Sequence, residues 1–284
     1  MKIEFYTPSY GVTDNFGAAT FGFVGAEDET TKEIIHFDAD LNGVMICGTY
    51  KECLDNIPEG IWDVGIVLLG NKGDENAFID ALSKKVNAPL VGGGAAINPI
   101  SGESGLISGG AEAAIFLISD ENYKFETYFE NIHKDILSEH EISFSNPRVI
   151  DKIDGIDACI WLKEKKAELG VLESDFEHLT LSDMNGINAH LSLVDGKICS
   201  GRDVTSKMQL RYVAEKDVWD RMAAFYNDKD AIVFGCAGLK GILPKKLGTQ
   251  GIGLFMFGEV CTTASVSEFG NLMLSKLRIT KKPD

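Results

Sequence analysis

The chain has 284 residues and is acidic, since 43 Asp and Glu residues outnumber 27 Lys and Arg residues and give a formal net charge of -16. A field of this sign repels phosphate backbones and anionic lipid, so we expect no nucleic acid and no membrane surface as partner. The six cysteines form no C-x-x-C pair and the first residues lack the apolar stretch of a signal peptide, which predicts reduced thiols in a cytoplasmic protein.

Three dipeptides predict β-hairpin turns, namely Asn42-Gly43, Asn185-Gly186 and Asp195-Gly196. Asn, Asp and Gly tolerate the positive φ that both central residues of a type I′ turn require. We expect strands over residues 33–37 and 43–48 to pair around the first turn. The other two turns predict a meander of three short strands within residues 178–201.

Three helices are predicted, over residues 75–86, 157–169 and 216–227. The first and third carry apolar residues at helical spacing, which indicates a face that packs on the core. In the second helix we expect Ile156, Cys159 and Ile160 to share one side. The stripes of the other two are Phe78, Leu82 and Val86, and Val218, Met222 and Phe225.

Three consecutive glycines, Gly92, Gly93 and Gly94, follow the apolar residue Val91. Such a run permits close approach of a backbone to a ligand, and its N–H groups can bind an anion. A tight turn without a ligand is the alternative. Neither G-x-G-x-x-G opening a helix nor a Walker loop occurs here, so a dinucleotide or nucleoside triphosphate site is disfavoured.

Cys236 follows Phe234-Gly235, and Lys240 comes four residues later. A thiol near glycine amides and a lysine can have a lowered pKa and act as a nucleophile. The alternative, which we favour, is a buried and inert cysteine.

The apolar run over residues 254–257 predicts a strand that is covered on both faces. Gly258, Glu259 and Cys261 follow it directly. An acidic side chain at this point indicates either a strand end that reaches solvent or the edge of a pocket.

Other patterns of catalytic or metal-binding residues are absent from the sequence. The five histidines show no zinc spacing, and His133 and His140 lie in an acidic segment that predicts a solvated face. The G-x-S-x-G pattern of many serine hydrolases does not occur. We therefore predict no metal site, and the sequence carries no signal of a serine hydrolase.

Two stretches resemble the FIST N-terminal and FIST C-terminal domains. Residues 63–96 are similar to the strand–helix–strand-glycine core of the first, and residues 231–279 are similar to the second. The matching residues are Phe234 and Cys236 in a Phe-x-Cys stretch, and Phe257-Gly258-Glu259 in an aromatic-Gly-Glu stretch.

The resemblance implies a sensory module that binds small ligands in signal transduction, with a FIST N-like domain over 1–142 and a FIST C-like domain over 143–284. Some members of that family bind haem, but no axial histidine can be assigned among the five here, so no cofactor is predicted. The expected ligand-binding residues are Gly92, Gly93, Gly94, Phe234, Cys236, Gly238, Phe257, Gly258 and Glu259.

We therefore expect a mixed α/β protein of two similar halves, with mixed β-sheets and helices on the outer faces. The expected function is recognition of a small polar ligand of the amino-acid type without catalysis, with output through a separate signalling protein. The alternatives are a cysteine-dependent enzyme that acts on a small metabolite through Cys236, and a scaffold without a ligand. The sequence specifies no oligomeric state.

Overall fold

The computed structural model describes residues 2–5, 22–25, 33–36, 41–70, 73–94, 111–171, 178–228, 230–236, 239, 252–256, 258–263 and 266–283. Within these ranges the fold is mixed α+β and rich in strands, which confirms the predicted class. Gly238 and Phe257 of the predicted ligand site lie outside the described residues, and so does Lys240.

The described elements fall into four sheets and four helices. The strands are β1 (Lys2–Phe5), β2 (Gly22–Gly25), β3 (Glu33–His36), β4 (Gly43–Gly48), β5 (Val64–Leu69), β6 (Leu90–Gly94), β7 (Ala113–Ile118), β8 (Tyr123–Glu130), β9 (Asp135–Asn146), β10 (Val149–Ile153), β11 (Ile156–Asp157), β12 (Leu179–Ser182), β13 (Asn188–Ala189), β14 (Leu191–Val194), β15 (Lys197–Ser200), β16 (Lys207–Tyr212), β17 (Ala231–Cys236), β18 (Ile252–Met256), β19 (Glu259–Thr263), β20 (Val266–Gly270) and β21 (Leu274–Lys281). The helices are α1 (Tyr50–Asp55), α2 (Glu75–Val86), α3 (Ala158–Leu169) and α4 (Glu215–Tyr226).

A six-stranded sheet has the order β20-β19-β6-β5-β7-β4, and its β5–β6 pair is parallel. Strand β5 is buried throughout because both of its faces are covered. Val64, Ile66 and Leu68 pack toward a four-stranded sheet, whereas Val67 and Leu69 pack toward α2. A continuous apolar run is what such a doubly covered strand requires.

The four-stranded sheet has the order β18-β17-β21-β8. Phe234 and Met256 pack on its inner side, against the six-stranded sheet. Val218 and Met222 of α4 pack on its other side. The two sheets are thus stacked, with α2 and α4 on their outer faces.

The largest sheet has the order β13-β12-β16-β9-β10-β15-β14, with β11 paired to β10. Its two end strands, β13 and β14, are separated in the chain only by His190, so the sheet curls into a nearly closed barrel. Trp161 and Leu162 of α3 pack into its core.

The hairpin predictions are confirmed only in part. Asp195 and Gly196 have φ angles of 50° and 74° and join β14 to β15. Asn185-Gly186 lies in the turn between β12 and β13, with φ of 83° at Gly186. The predicted meander is confirmed, with its middle segment divided at His190 into β13, which pairs with β12, and β14, which pairs with β15.

The hairpin predicted around Asn42-Gly43 is wrong. Strand β4 pairs antiparallel with β7, while β3 pairs with β1 and β2. The pairing with β7 places Ile46 of β4 in the apolar core under α2, which a local hairpin with β3 would not provide.

All three predicted helices are confirmed as α2, α3 and α4. The predicted apolar side of α3 is wrong, because Ile156 and Ile160 are 43% and 55% exposed. The buried side is set by Trp161 and Leu162 instead, whose larger apolar surface enters the barrel core. No described helix is long and apolar enough to cross a membrane.

Strands from both parts of the chain share sheets. Strands β19 and β20 extend the sheet of β4 to β7, and β8 joins β17, β18 and β21. The boundary predicted between residues 142 and 143 lies within β9. The division into two domains stays a prediction.

Candidate functional site

The two glycine-containing stretches that carry the predicted site lie side by side. Strand β19 pairs antiparallel with β6, so that Glu259 stands opposite Gly93 and Val260 opposite Gly92. The Gly94 N–H donates to the Gly258 carbonyl over 2.9 Å. The structure therefore brings Gly92–Gly94 and Gly258-Glu259 together, although they are far apart in the sequence.

The glycines allow unusually close packing of these strands. Gly92 has φ of 130°, and a Cβ there would collide with the Val67 carbonyl oxygen. A Cβ on Gly93 would meet the Gly258 carbonyl oxygen, and one on Gly258, at φ of 85°, would meet the Phe269 ring. Close backbone approach, which only glycine permits, thus brings β6 against the start of β19.

Glu259 lies inside the protein, with an exposed fraction of 0%. Its Oε2 accepts a hydrogen bond from the Met273 N–H over 3.2 Å, and the Cys236 thiol hydrogen-bonds to the carboxyl group. Its Oε1 has no N–H or O–H partner among the residues that the structure describes. The interpretation of Glu259 as a strand end that reaches solvent is therefore wrong.

Burial sets the protonation of this acid. Loss of solvent raises the pKa of Glu259 well above its ordinary value, and the hydrogen bonds from Met273 and Cys236 offset this only in part. The neutral carboxylic acid is thereby favoured, and in that form the group both donates and accepts hydrogen bonds.

Tyr226 completes the surroundings of the acid from α4. Its side chain is fully buried, and a Cβ on Gly235 would collide with its hydroxyl. Burial, together with the neighbouring Glu259 and Cys236, raises the pKa of Tyr226. We call Glu259, Cys236 and Tyr226 the acid–thiol–phenol cluster.

The turn between β20 and β21 holds the carboxyl group of Glu259. Leu272 in this turn has φ of 52°, a conformation that costs a residue other than glycine about 1–3 kcal/mol. Two hydrogen bonds hold the turn in this conformation. Asn188 Nδ2 donates to the Leu272 carbonyl over 3.3 Å, and the Cys236 N–H donates to the Met273 carbonyl over 3.2 Å. The strained turn thus orients the Met273 N–H toward Glu259.

Sequence reasoning missed Tyr226, Asn188 and Met273. These residues come from α4, from the barrel and from the turn before β21, and no local pattern links them to Glu259. Phe234, which the sequence assigns to the site, packs in the core between the two stacked sheets. Cys236 is 6% exposed, as the favoured interpretation of a buried cysteine predicts.

A second group of buried polar residues lies near Cys261. Arg202 Nη1 pairs with Asp183 over 3.0 Å, and Arg202 Nη2 lies 3.6 Å from Glu268. Burial raises the pKa of Cys261 well above its ordinary value, and burial and Asp183 raise that of Glu268. This network ties β12 of the barrel to β20 of the six-stranded sheet.

The described part of the chain contains no cluster of three or more His, Cys, Asp or Glu residues that could hold a metal ion. The six cysteines all lie in the described part of the chain, and none of them is in a disulfide.

No family model matches the chain, and no curated protein matches it.

Proposed function

We propose that this protein binds a small polar molecule at the acid–thiol–phenol cluster and performs no catalysis there. The observation that carries the proposal is the Glu259 Oε1 atom, which is buried and has no N–H or O–H partner among the described residues. A buried oxygen left unpaired costs about 1–3 kcal/mol. A ligand amine or hydroxyl that donates to Oε1 would recover this free energy.

The chemistry of the cluster favours recognition over the alternative of a cysteine-dependent enzyme. A nucleophilic cysteine needs an accessible thiolate in electropositive surroundings. Cys236 is 6% exposed, and its thiol interacts with a carboxyl group and lies near the Tyr226 phenol. Neither neighbour carries a positive charge that would favour a thiolate.

The proposal includes a sensory role of the FIST type, with two similar halves and output through a separate signalling protein in the cytoplasm. What supports it is that the two stretches carrying the resemblance to FIST domains contact each other, with Gly93 opposite Glu259. A ligand that binds where the two stretches meet can change how they pack against each other, and a sensory role requires such a change.

A thermal-shift screen of amino acids, small amines and small hydroxy acids tests the proposal. At a hundred times Kd a ligand stabilises the fold by about 2.7 kcal/mol, which raises the melting temperature of a chain of this size by several degrees. The variant Glu259→Met, which has a similar length and no acceptor oxygen, should lose the response to each active compound. Failure of every compound, or an unchanged response in this variant, would contradict the proposal.

Glu75→Met is the matched control. Glu75 is equally buried, but its carboxylate accepts hydrogen bonds from the Gly73 N–H over 2.7 Å and from Arg148 over 3.1 Å. This variant loses stability because an ion pair is broken, yet its response to the active compounds should persist.

A further inference from the structure

A chain of hydrogen bonds on the barrel links a serine, a histidine and an aspartate. Ser138 Oγ lies 2.6 Å from His140 Nε2, and His140 Nδ1 lies 2.6 Å from Asp154 Oδ2. The order hydroxyl, imidazole, carboxylate is that of a nucleophile, its general base and the group that orients the base.

The local fold explains how these three side chains meet. Ser138 and His140 are two residues apart on β9, so they project from the same face of the strand. Asp154 and Gly155, with φ of 52° and 79°, form the turn that follows β10. Asp154 exchanges two hydrogen bonds of 2.9 Å with the Glu141 backbone, which places its carboxylate beside His140.

The imidazole of His140 is held from three sides and is 8% exposed. The Trp161 ring meets its edge at a centroid distance of 4.7 Å and an angle of 74°. Partial desolvation opposes ionisation of Asp154, but the bonds from His140 and Glu141 outweigh it and lower the pKa of Asp154. A carboxylate accepts only, so in the neutral imidazole Nδ1 carries the proton and Nε2 has a lone pair for the Ser138 hydroxyl.

The surroundings of Ser138 suit a small apolar acyl group. Ser138 is half-buried, and the neighbouring side chains of Ile136 and Leu137 are 51% and 43% exposed. The ladder between β9 and β16 pairs Leu210 with Ser138 and Arg211 with Ile136, so Leu137 forms a β-bulge. The N–H group of a bulged residue is not used in the ladder. That of Leu137 therefore supplies a hydrogen-bond donor next to the nucleophile.

We propose that Ser138, His140 and Asp154 form a catalytic site that hydrolyses small carboxylic esters with apolar acyl groups. The site lies on the barrel and does not depend on the ligand bound by the acid–thiol–phenol cluster. The sequence excludes only the G-x-S-x-G turn, whereas here the serine lies within a strand. The solvated face predicted for His133 and His140 is wrong, because the exposed fractions of these residues are only 0% and 8%.

The reaction balances with water as the second substrate. Ser138 Oγ bonds to the ester carbonyl carbon while its proton passes to His140 Nε2. The carbon–oxygen bond to the alcohol then breaks, and the alkoxide takes the proton from His140. Water attacks the acyl-serine, gives a proton to His140, and releases the carboxylic acid as that proton returns to Ser138.

Diisopropyl fluorophosphate on the full chain tests the nucleophile directly. Ser138 Oγ forms a bond to phosphorus, fluoride leaves, and the proton is taken up by His140. Ser145 is the internal control, since it lies on the same strand with its hydroxyl 3.2 Å from Asp151 and without a histidine in that bond. Peptide mass spectrometry should find the phosphoryl group on Ser138 and not on Ser145. Equal modification of both serines, or none on Ser138, would overturn the proposal.

Hydrolysis of p-nitrophenyl butyrate gives the second readout. Ser138→Ala should reduce turnover to the uncatalysed rate, while Ser145→Ala should leave it unchanged. Asp154→Asn keeps a residue that tolerates positive φ but loses the charge, and turnover should fall about 100-fold. Turnover in Ser138→Ala equal to that of the unaltered chain would refute the assignment.

Discussion

Replacement of Glu259 by Gln should make the protein more resistant to rising pH. Burial raises the pKa of Glu259 above the unfolded value of about 4.3, so the folded state retains its proton where the unfolded state has lost it. The stability that this proton contributes is complete below the unfolded pKa and decreases as the pH rises toward the folded pKa. Gln has a similar shape and no proton to lose.

The magnitude follows from proton linkage. One proton retained on folding changes the free energy of unfolding by about 1.4 kcal/mol per pH unit. In the pH range between the unfolded and the folded pKa of Glu259, the Gln variant should therefore gain about 1.4 kcal/mol per pH unit relative to the unaltered chain. The gain levels off once the pH exceeds the folded pKa of Glu259.

Urea denaturation of both proteins at half-unit steps from pH 4 to pH 8 measures this difference. All other titrating groups occur in both chains, so their contributions cancel when the two free energies of unfolding are subtracted. A difference that is independent of pH, or that decreases as the pH rises, would refute the claim that Glu259 is buried in its neutral form.

Three further predictions concern the surroundings of the cluster. Peptide mass spectrometry should show that iodoacetamide alkylates the exposed Cys47 quickly and the buried Cys236 only after denaturation. Fast labelling of Cys236 would favour the enzyme alternative. Arg202→Leu should lower the free energy of unfolding by about 3–5 kcal/mol in urea titrations, because it removes the cation that pairs with the buried Asp183 carboxylate. A loss below about 1 kcal/mol would show that the network is weak. Gly258→Ala should cost about 1–3 kcal/mol more than Gly196→Ala, since both glycines have positive φ but a Cβ has space only at Gly196; equal losses would contradict the packing described for β19.

Elements with a local signal could be predicted from the sequence. The apolar stripe of α4 places Val218 and Met222 in the core, and the Asp195-Gly196 dipeptide has the φ angles of a hairpin turn. Both features depend on residues that are close together in the sequence. Local preferences are sufficient in such cases.

Pairings between distant segments could not be predicted. The β4–β7 pair and the near closure of the barrel at His190 depend on which apolar faces meet across the whole fold. The same holds for the site, where Tyr226 and Met273 reach Glu259 from separate elements. The triad-like arrangement was missed because Asp154 meets His140 only after β9 and β10 have paired.

Isothermal titration of an active compound from the thermal-shift screen tests the central claim most directly. The unaltered chain and the Glu75→Met control should bind with the same Kd. Glu259→Met should bind roughly 5–150-fold more weakly, because a ligand donor that is buried without its acceptor costs about 1–3 kcal/mol. Equal affinity of all three proteins would contradict recognition of the ligand by Glu259.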